Sequence, residues 1–472
     1  MQAQAHALSN AGANQLRSSQ GRPTLAVFLE LFFKALNEGD VKWCVLRNFD
    51  TLPLENVADD IDILIERAQL SKIIRLLGEI PYIVVTSVVL HLHEASVFIG
   101  GLECGGLHID FTFEFAWKGK LFFGAADVLR RAHPYPKWPV MQVADPIDTA
   151  MNAFLNTYLS TGHIKERYCA TASVILQNHL REAVARVGPY IGSALAMELL
   201  AMVAAGNYDG TPLLLSRVRH ALIARAFREQ PLFSILRTAR YYGRELRNCF
   251  NGRKCIRIAM FGADGVGKTT LLADLEQRLG GTAGLVRRVS FRPKVVYGRP
   301  TATAKPGVTM SSRSKDRLLS FIRPFIWCLD YWLYAFELFR SPSQLLIFDR
   351  YFHDIIFAPG KYHCSPWLGR LTTHLVPMPD LLFILHAPAE VVCSRKLGRD
   401  IPVGDIEDHR KMTREDTVRY YSACDQFLQR RPNVVVLDAT LSRDRLLAHA
   451  ELSALDVMRR RAADYLVPRQ NR

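Results

Sequence analysis

The stretch Ile256-Arg-Ile-Ala-Met-Phe-Gly-Ala-Asp-Gly-Val-Gly-Lys-Thr-Thr270 joins an apolar run to a cluster of glycines and then to a lysine and two threonines. The spacing Gly262-x4-Gly267-Lys268-Thr269 is that of a phosphate-binding loop. Gly262, Gly265 and Gly267 open backbone dihedrals closed to other residues, so that successive N–H groups can converge on phosphate oxygens. Ile256, Ile258, Ala259, Met260 and Phe261 predict a buried strand before the loop. Leu271, Leu272, Leu275 and Leu279 recur at helical spacing after it, so an anion in the loop also meets the positive end of a helix dipole. This strand–loop–helix context separates the motif from an incidental glycine-rich turn. The ligand it fits is a nucleoside triphosphate, with Gly262, Ala263, Asp264, Gly265, Val266, Gly267, Lys268, Thr269 and Thr270 around the phosphates.

Working outward, a chain of 472 residues accommodates about three domains, and 49% apolar content is that of a globular protein. Lys and Arg number 60 against 45 Asp and Glu, a balance that favours anionic partners without choosing among nucleotides, nucleic acid and acidic lipid. The nine cysteines contain no Cys-x-x-Cys pair, so neither a disulfide framework nor a zinc knuckle is indicated, and a reducing cytoplasm fits best. Residues 1–23 are polar and lack the signature of a secretory signal; a disordered tail is expected there. The apolar stretch from Phe321 to Leu338 carries Arg323, Asp330 and Glu337, which favours a buried helix over a membrane span.

Toward the N-terminus, Leu25 to Leu36 predicts an amphipathic helix and Lys42 to Leu46 a strand. In Asp59-Asp60-Ile61-Asp62-Ile63-Leu64-Ile65, strand alternation sends Asp60 and Asp62 to one face and the isoleucines to the other. Leu107 to Phe115 alternates in the same way and sets His108, Asp110, Thr112 and Glu114 on one face. Clustered carboxylates repel unless a cation sits among them, and hard ions such as Mg2+ prefer oxygen. Asp60, Asp62 and Asp110 resemble, in type and order, the metal-binding carboxylates of the nucleotidyltransferase superfamily, over about residues 25 to 170. That resemblance implies Mg2+ and nucleotidyl transfer; where the superfamily places Gly-Ser before the carboxylate pair, Arg47-Asn48 stand here. An acidic sheet edge without catalysis is the competing reading. His91, His93, Cys104 and His108 have no fixed spacing that would make them a zinc site.

Residues 121 to 235 predict mostly helix, and Lys165, Arg167 and Tyr168 form a basic, aromatic cluster suited either to a bound triphosphate or to solvent. From Arg217 to Arg257, eleven Lys or Arg face only Glu229 and Glu245. Arg237, Arg240, Arg244 and Arg247 fall on one helical face beside Tyr241 and Tyr242, suited to phosphates, acidic headgroups or plain solvation. Asn251-Gly252 ends this helix and marks a boundary.

Beyond the loop, Leu285 to Val289, Leu345 to Phe348, Leu381 to Leu385 and Val434 to Leu437 predict four further strands. With the strand before the loop they imply a five-stranded parallel α/β sheet with catalytic groups at the strand C-terminal ends. Here the chain resembles the thymidylate kinase family, over about residues 255 to 455. Phe261 to Thr270, with the internal Asp264-Gly265, is similar to that family's P-loop; Asp349-Arg350-Tyr351 is similar to its Asp-Arg-Tyr/His motif; and Pro379-Asp380-Leu381 matches a further block. The resemblance implies that Lys268 and Thr269 meet the phosphates and Mg2+, that Asp349 lies near Mg2+, and that Arg350 steadies the acceptor monophosphate. It also implies that Arg395, Lys396 and Arg399 belong to a mobile lid. Such residue types suit phosphoryl transfer, which needs positioning and charge neutralisation more than covalent help. The family's Arg-Glu-Pro-Gly-Gly-Thr segment has no counterpart between Phe291 and Ser320, while Trp327, Tyr331, Trp332 and Tyr334 precede Asp349.

The expected organisation is a tail over 1–23, a nucleotidyltransferase-like α+β domain over 24–120, a helical region with an Arg-rich linker over 121–250, and a P-loop kinase-like α/β domain over 251–472. It resembles fusion proteins of bacterial surface-polysaccharide gene clusters. The expected activity is ATP- and Mg2+-dependent phosphorylation of a nucleoside monophosphate such as dTMP. The alternatives are a nucleotide-gated scaffold and a nucleotidyltransferase. Expected partners are a phosphorylated small molecule, an acidic membrane surface touched by the linker, and a second copy in a homodimer, with no nucleic acid.

Overall fold

The structure is a computed structural model that describes residues 21–54, 56, 60–250, 255–290, 324–333, 344–357, 366–400, 406–428 and 433–466. The expected tail therefore lies outside the described residues except at 21–23, as does the run 291–323. The chain divides into two compact units, residues 1–250 with 462–472, and residues 251–461.

The first unit opens with α1 (Leu25–Glu38), whose Thr24 side chain accepts from the Val27 N–H and whose Phe28, Leu29, Phe32, Phe33 and Leu36 are buried at helical spacing. There follow β1 (Trp43–Val45), β2 (Asp60–Ile65), α2 (Leu70–Glu79), β3 (Val84–Leu90), β4 (Glu94–Leu102), β5 (Gly105–Thr112), β6 (Phe115–Trp117) and β7 (Lys120–Phe123). Then come α3 (Ala125–Arg131), β8 (His133–Tyr135), β9 (Trp138–Val143), α4 (Pro146–Thr161), α5 (Glu166–Ile191), α6 (Ser193–Ala204), α7 (Thr211–Glu229) and α8 (Pro231–Phe250). Seven strands form one mixed sheet in the order β3-β4-β5-β2-β1-β9-β8. The sheet runs on past residue 120, since Val45 of β1 pairs in parallel with Val143 of β9. Ile61, Ile63 and Ile65 face a core shared with α1 and α2, whereas Cys44 and Leu64 face the helices from α4 onward. The alternation expected of β5 is present as a strict buried and half-buried pattern.

The second unit holds β10 (Cys255–Gly262), α9 (Lys268–Arg278), β11 (Leu285–Ser290), β12 (Gln344–Asp349), α10 (Asp354–Phe357), α11 (Pro366–Thr373), β13 (Leu381–His386), α12 (Ala389–Asp400), α13 (Ile406–Leu428), β14 (Val434–Asp438) and, as far as Arg461, α14 (Arg443–Leu466). Among the described residues its five strands are all parallel, in the order β11-β12-β10-β13-β14. This is the α/β sheet expected from the sequence. Because β12 and β13 flank β10 on opposite sides, the chain leaves the loop strand in two directions, and the crevice of such a sheet opens at the C-terminal end of that strand. Phe261, Phe348 and Phe383 are buried in the central strands, at about 1.5–3 kcal/mol of transfer free energy each. Residues 324–333 are helical, with Cys328, Asp330 and Tyr331 buried. Among the described residues no helix is long and apolar enough to cross a membrane.

Candidate functional site

β10 delivers the loop. Gly262 is packed so closely that a side chain there would come within 2.9 Å of the Leu385 carbonyl oxygen, and Gly267 takes φ +109 immediately before α9. Lys268 opens the helix, and its ammonium donates to the carbonyls of Gly262 and Ala263 at 2.8 and 2.7 Å. Asp264 stands 3.6 Å from the same nitrogen. Burial, and then the nearby Arg350 guanidinium, push the Lys268 pKa down to about 8. Thr269 and Thr270 are exposed in the first turn.

β12 delivers the second group to the same end of the sheet. Asp349, paired in register with Met260, is its last residue and is half-buried. Arg350 follows at φ +67, a left-handed backbone that a non-glycine residue holds only under constraint. Its N–H donates to the Met260 carbonyl at 3.1 Å. Its guanidinium pairs with Asp264 of the loop and, at 2.5 Å, with Asp354. Tyr420 of α13 donates to the other Asp354 oxygen at 2.6 Å and accepts from the Gly262 N–H at 3.3 Å. Burial, with Asp354 alongside, raises the Tyr420 phenol well above its usual range, so it stays a donor. Asp354 and Tyr420 are absent from the sequence expectations. The signal for Asp354 is its position four residues after Arg350, near enough along the chain for the turn after β12 to bring the two side chains together; nothing local marks Tyr420.

Other expected residues are placed differently. Arg395 of α12 donates to the carbonyls of Val266 and Ala439 at 3.2 and 3.0 Å, bracing the loop from behind. Arg399 and Lys396 lie on α12, and their side chains are outside the described residues. Asp380 accepts from the Arg257 N–H at 2.8 Å and pairs with Arg461, which makes it a clamp at the start of β13, away from the loop. Tyr331 is buried in the core, edge-on to the Tyr351 ring at 4.8 Å, and Trp332 is exposed and donates to the Leu375 carbonyl. Tyr334 is outside the described residues.

In the first unit β2 and β5 pair in parallel, with Asp60 opposite His108 and Asp62 opposite Asp110. Asp60, His108 and Asp110 bring ligand atoms within 4.8 Å of one another. His108 Nε2 lies 2.9 Å from Asp110, the Ser96 hydroxyl donates to Asp110 at 2.6 Å, and Phe98 stacks on the imidazole at 4.2 Å. Burial opposes both charges, but the contact between them prevails: Asp110 is held below the usual carboxylate range and His108 is raised. Asp62 departs from the expected carboxylate trio. The Arg47 guanidinium holds it through Nε at 2.6 Å and Nη2 at 3.1 Å, both side chains being nearly buried, so an arginine supplies the counter-charge that the trio was expected to draw from a metal. Burial pushes the Asp62 carboxyl up and Arg47 pulls it back.

Tyr168 joins this arrangement: Asn48, at φ +59, donates to its hydroxyl at 3.2 Å, and the Arg47 and Arg167 guanidinium groups lie 5.5 and 4.8 Å from its ring. A cleft of about 340 Å³ opens beside them, lined by Arg47, Asn48, Asp50, Thr149, Arg167 and Tyr168. His91 pairs with Glu245 and His93 with Glu114, so neither histidine joins His108 in a zinc set.

No protein-family model matches the chain, and no curated protein matches it. Among solved structures, the chain is similar to deoxyadenosine kinase from M. mycoides with bound dATP, at 15% identity and a TM-score of 0.27, over 41% of this chain and 97% of the other. It is likewise similar to the same kinase with the products dCMP and a flexible dCDP bound, at 15% identity and a TM-score of 0.26, over 41% of this chain and 96% of the other.

Proposed function

We propose that the second unit transfers the γ-phosphoryl group of ATP to a nucleoside monophosphate. One observation carries this reading: Arg350, aimed by a left-handed backbone at the end of β12, reaches Asp264 inside the phosphate-binding loop, so two anion-holding devices meet at one sheet end. A loop that merely switched a scaffold has no need of the second device.

In this reading Lys268 leaves the carbonyls of Gly262 and Ala263 for the β- and γ-phosphates, while the N–H groups from Ala263 to Thr270 close on the same oxygens. Arg350 exchanges Asp264 for the acceptor phosphate and keeps Asp354, which holds the planar fork in place. The Thr269 hydroxyl and the Asp349 carboxylate are oxygen donors of the kind Mg2+ accepts alongside phosphate. Bound there, Mg2+ supplies charge neutralisation at the phosphates. Arg395 and Arg399 are assigned to the transferring phosphoryl group, Arg395 after release from Val266 and Ala439. The absent Arg-Glu-Pro-Gly-Gly-Thr segment favours an acceptor range broader than dTMP, since each missing polar contact weakens discrimination by roughly 1–3 kcal/mol.

The test is a transfer assay from γ-labelled ATP to a panel of nucleoside monophosphates, nucleosides and phosphorylated sugars. Label in nucleoside diphosphates supports the reading. Label only in monophosphates made from nucleosides, or only in sugars, replaces it.

The grouping of Asp60, His108 and Asp110 favours a second reading for the first unit, a divalent-cation site of mixed oxygen and nitrogen donors. With Asp62 held by Arg47, nucleotidyl transfer through Asp60, Asp62 and Asp110 together would require that ion pair to open.

A further inference from the structure

The helix α8 is mounted with its polar side inward. Arg237 pairs with Glu114 at 2.5 Å, Glu245 with His91 at 2.8 Å, Thr238 accepts from Lys120 at 2.9 Å, Asn248 donates to the Leu90 carbonyl at 3.0 Å, and Tyr241 stacks on His93. These bonds fix the rotation of the helix, because turning it would strand each of these polar groups. The opposite arc carries Leu232, Ile235, Leu236, Tyr242 and Leu246, every one more than half exposed. A helix of a globular unit ordinarily turns such a stripe to its own core, and a contiguous exposed apolar row marks a contact surface.

We infer that this outward arc of α8 seats the protein on an anionic lipid surface. The helix runs 20 residues, about 30 Å, long enough to lie along a bilayer interface. Arg240 and Arg247 are exposed at one edge of the arc, where headgroup phosphates would meet them. Glu245 is the only carboxylate of the helix, and it is turned inward onto His91. That charge pattern favours lipid over a second copy, which would bring its own arginines to this arc without an acid to receive them. Phe227, near the end of α7, is exposed as well. The inference stands whether or not the second unit is a kinase.

The experiment is vesicle flotation of the full chain with phosphatidylcholine alone and with phosphatidylcholine containing a quarter phosphatidylglycerol. Binding is expected to the anionic vesicles and to be released by added salt. Leu236→Glu with Leu246→Glu, and separately Arg240→Glu with Arg247→Glu, should each weaken binding about tenfold or more while melting as wild type does. Equal, salt-insensitive binding to both vesicles would overturn the proposal, as would wild-type binding by both variants. So would the absence of binding together with a dimer that Leu236→Glu dissociates. The lipid and salt comparisons use the wild-type chain and decide the matter even if a variant fails to fold.

Discussion

Arg350 donates to Asp354 at 2.5 Å, and Asp354 has no exposed surface. A carboxylate so buried and so paired orients the guanidinium; it does not meet substrate. Asp354→Asn should therefore raise the acceptor KM about tenfold while ATP affinity changes little, because a neutral amide holds the planar fork more weakly. Steady-state kinetics against acceptor and against ATP separate the two effects. A purely structural role would lower stability without this split.

Lys268 should make ATP binding sensitive to pH. In the free protein its pKa lies near 8, depressed by burial. Phosphate favours the protonated form, so above pH 8 binding must take up a proton. ATP affinity should then fall by up to about tenfold per pH unit above 8, and stay flat below it. Titration of a fluorescent ATP analogue between pH 7 and 9.5 checks this. Lys268→Met should bind more weakly and lose the slope. The sign for folding is opposite: the cost of burying the charged amine is present below pH 8 and is relieved as pH rises from there toward the unfolded value.

Much of this site is legible in the sequence, and the reason is local. Gly262 to Thr270 and Asp349-Arg350 each consist of a few consecutive residues at the end of one strand, so period and spacing reveal them. Tyr420 is brought to Gly262 and Asp354 by packing of α13 across more than 60 intervening positions, and no pattern in its neighbourhood announces it. Asp62 shows the same limit from the other side. Alternation on β2 correctly gives the face it shares with Asp60, but only the fold brings Arg47 onto it. For α8 the arginine spacing describes one face, while the contacts of Arg237 with Glu114 and Glu245 with His91 decide which side turns inward.

Asp62→Asn should destabilise the first unit by about 3–5 kcal/mol, since it leaves the nearly buried Arg47 without its counter-charge. Replacing both residues together with apolar ones of similar size should recover much of the loss. Urea denaturation of the single and double variants measures both. A single variant as stable as wild type would mean that the pair is open in solution.

Asp60, His108 and Asp110 should take Mn2+ and raise the melting temperature by about 5 °C near a hundredfold excess over Kd. His108, raised by the surrounding carboxylates, must give up its proton to bind, so the rise should be larger at pH 8.5 than at pH 6. Differential scanning calorimetry reads this, and Asp60→Asn should remove the shift. A metal-independent melt at both pH values would leave these side chains as a hydrogen-bonded cluster only.

The most direct measurement follows phosphorus itself: ³¹P NMR of the full chain with ATP, Mg2+ and a mixture of nucleoside monophosphates. Growth of nucleoside diphosphate signals in step with ADP is the predicted result, with Lys268→Ala slower by a hundredfold to about a thousandfold while its fold is kept. ATP consumption that yields only inorganic phosphate, or diphosphate formation that survives Lys268→Ala at the wild-type rate, would contradict phosphoryl transfer at the Gly262 to Thr270 loop.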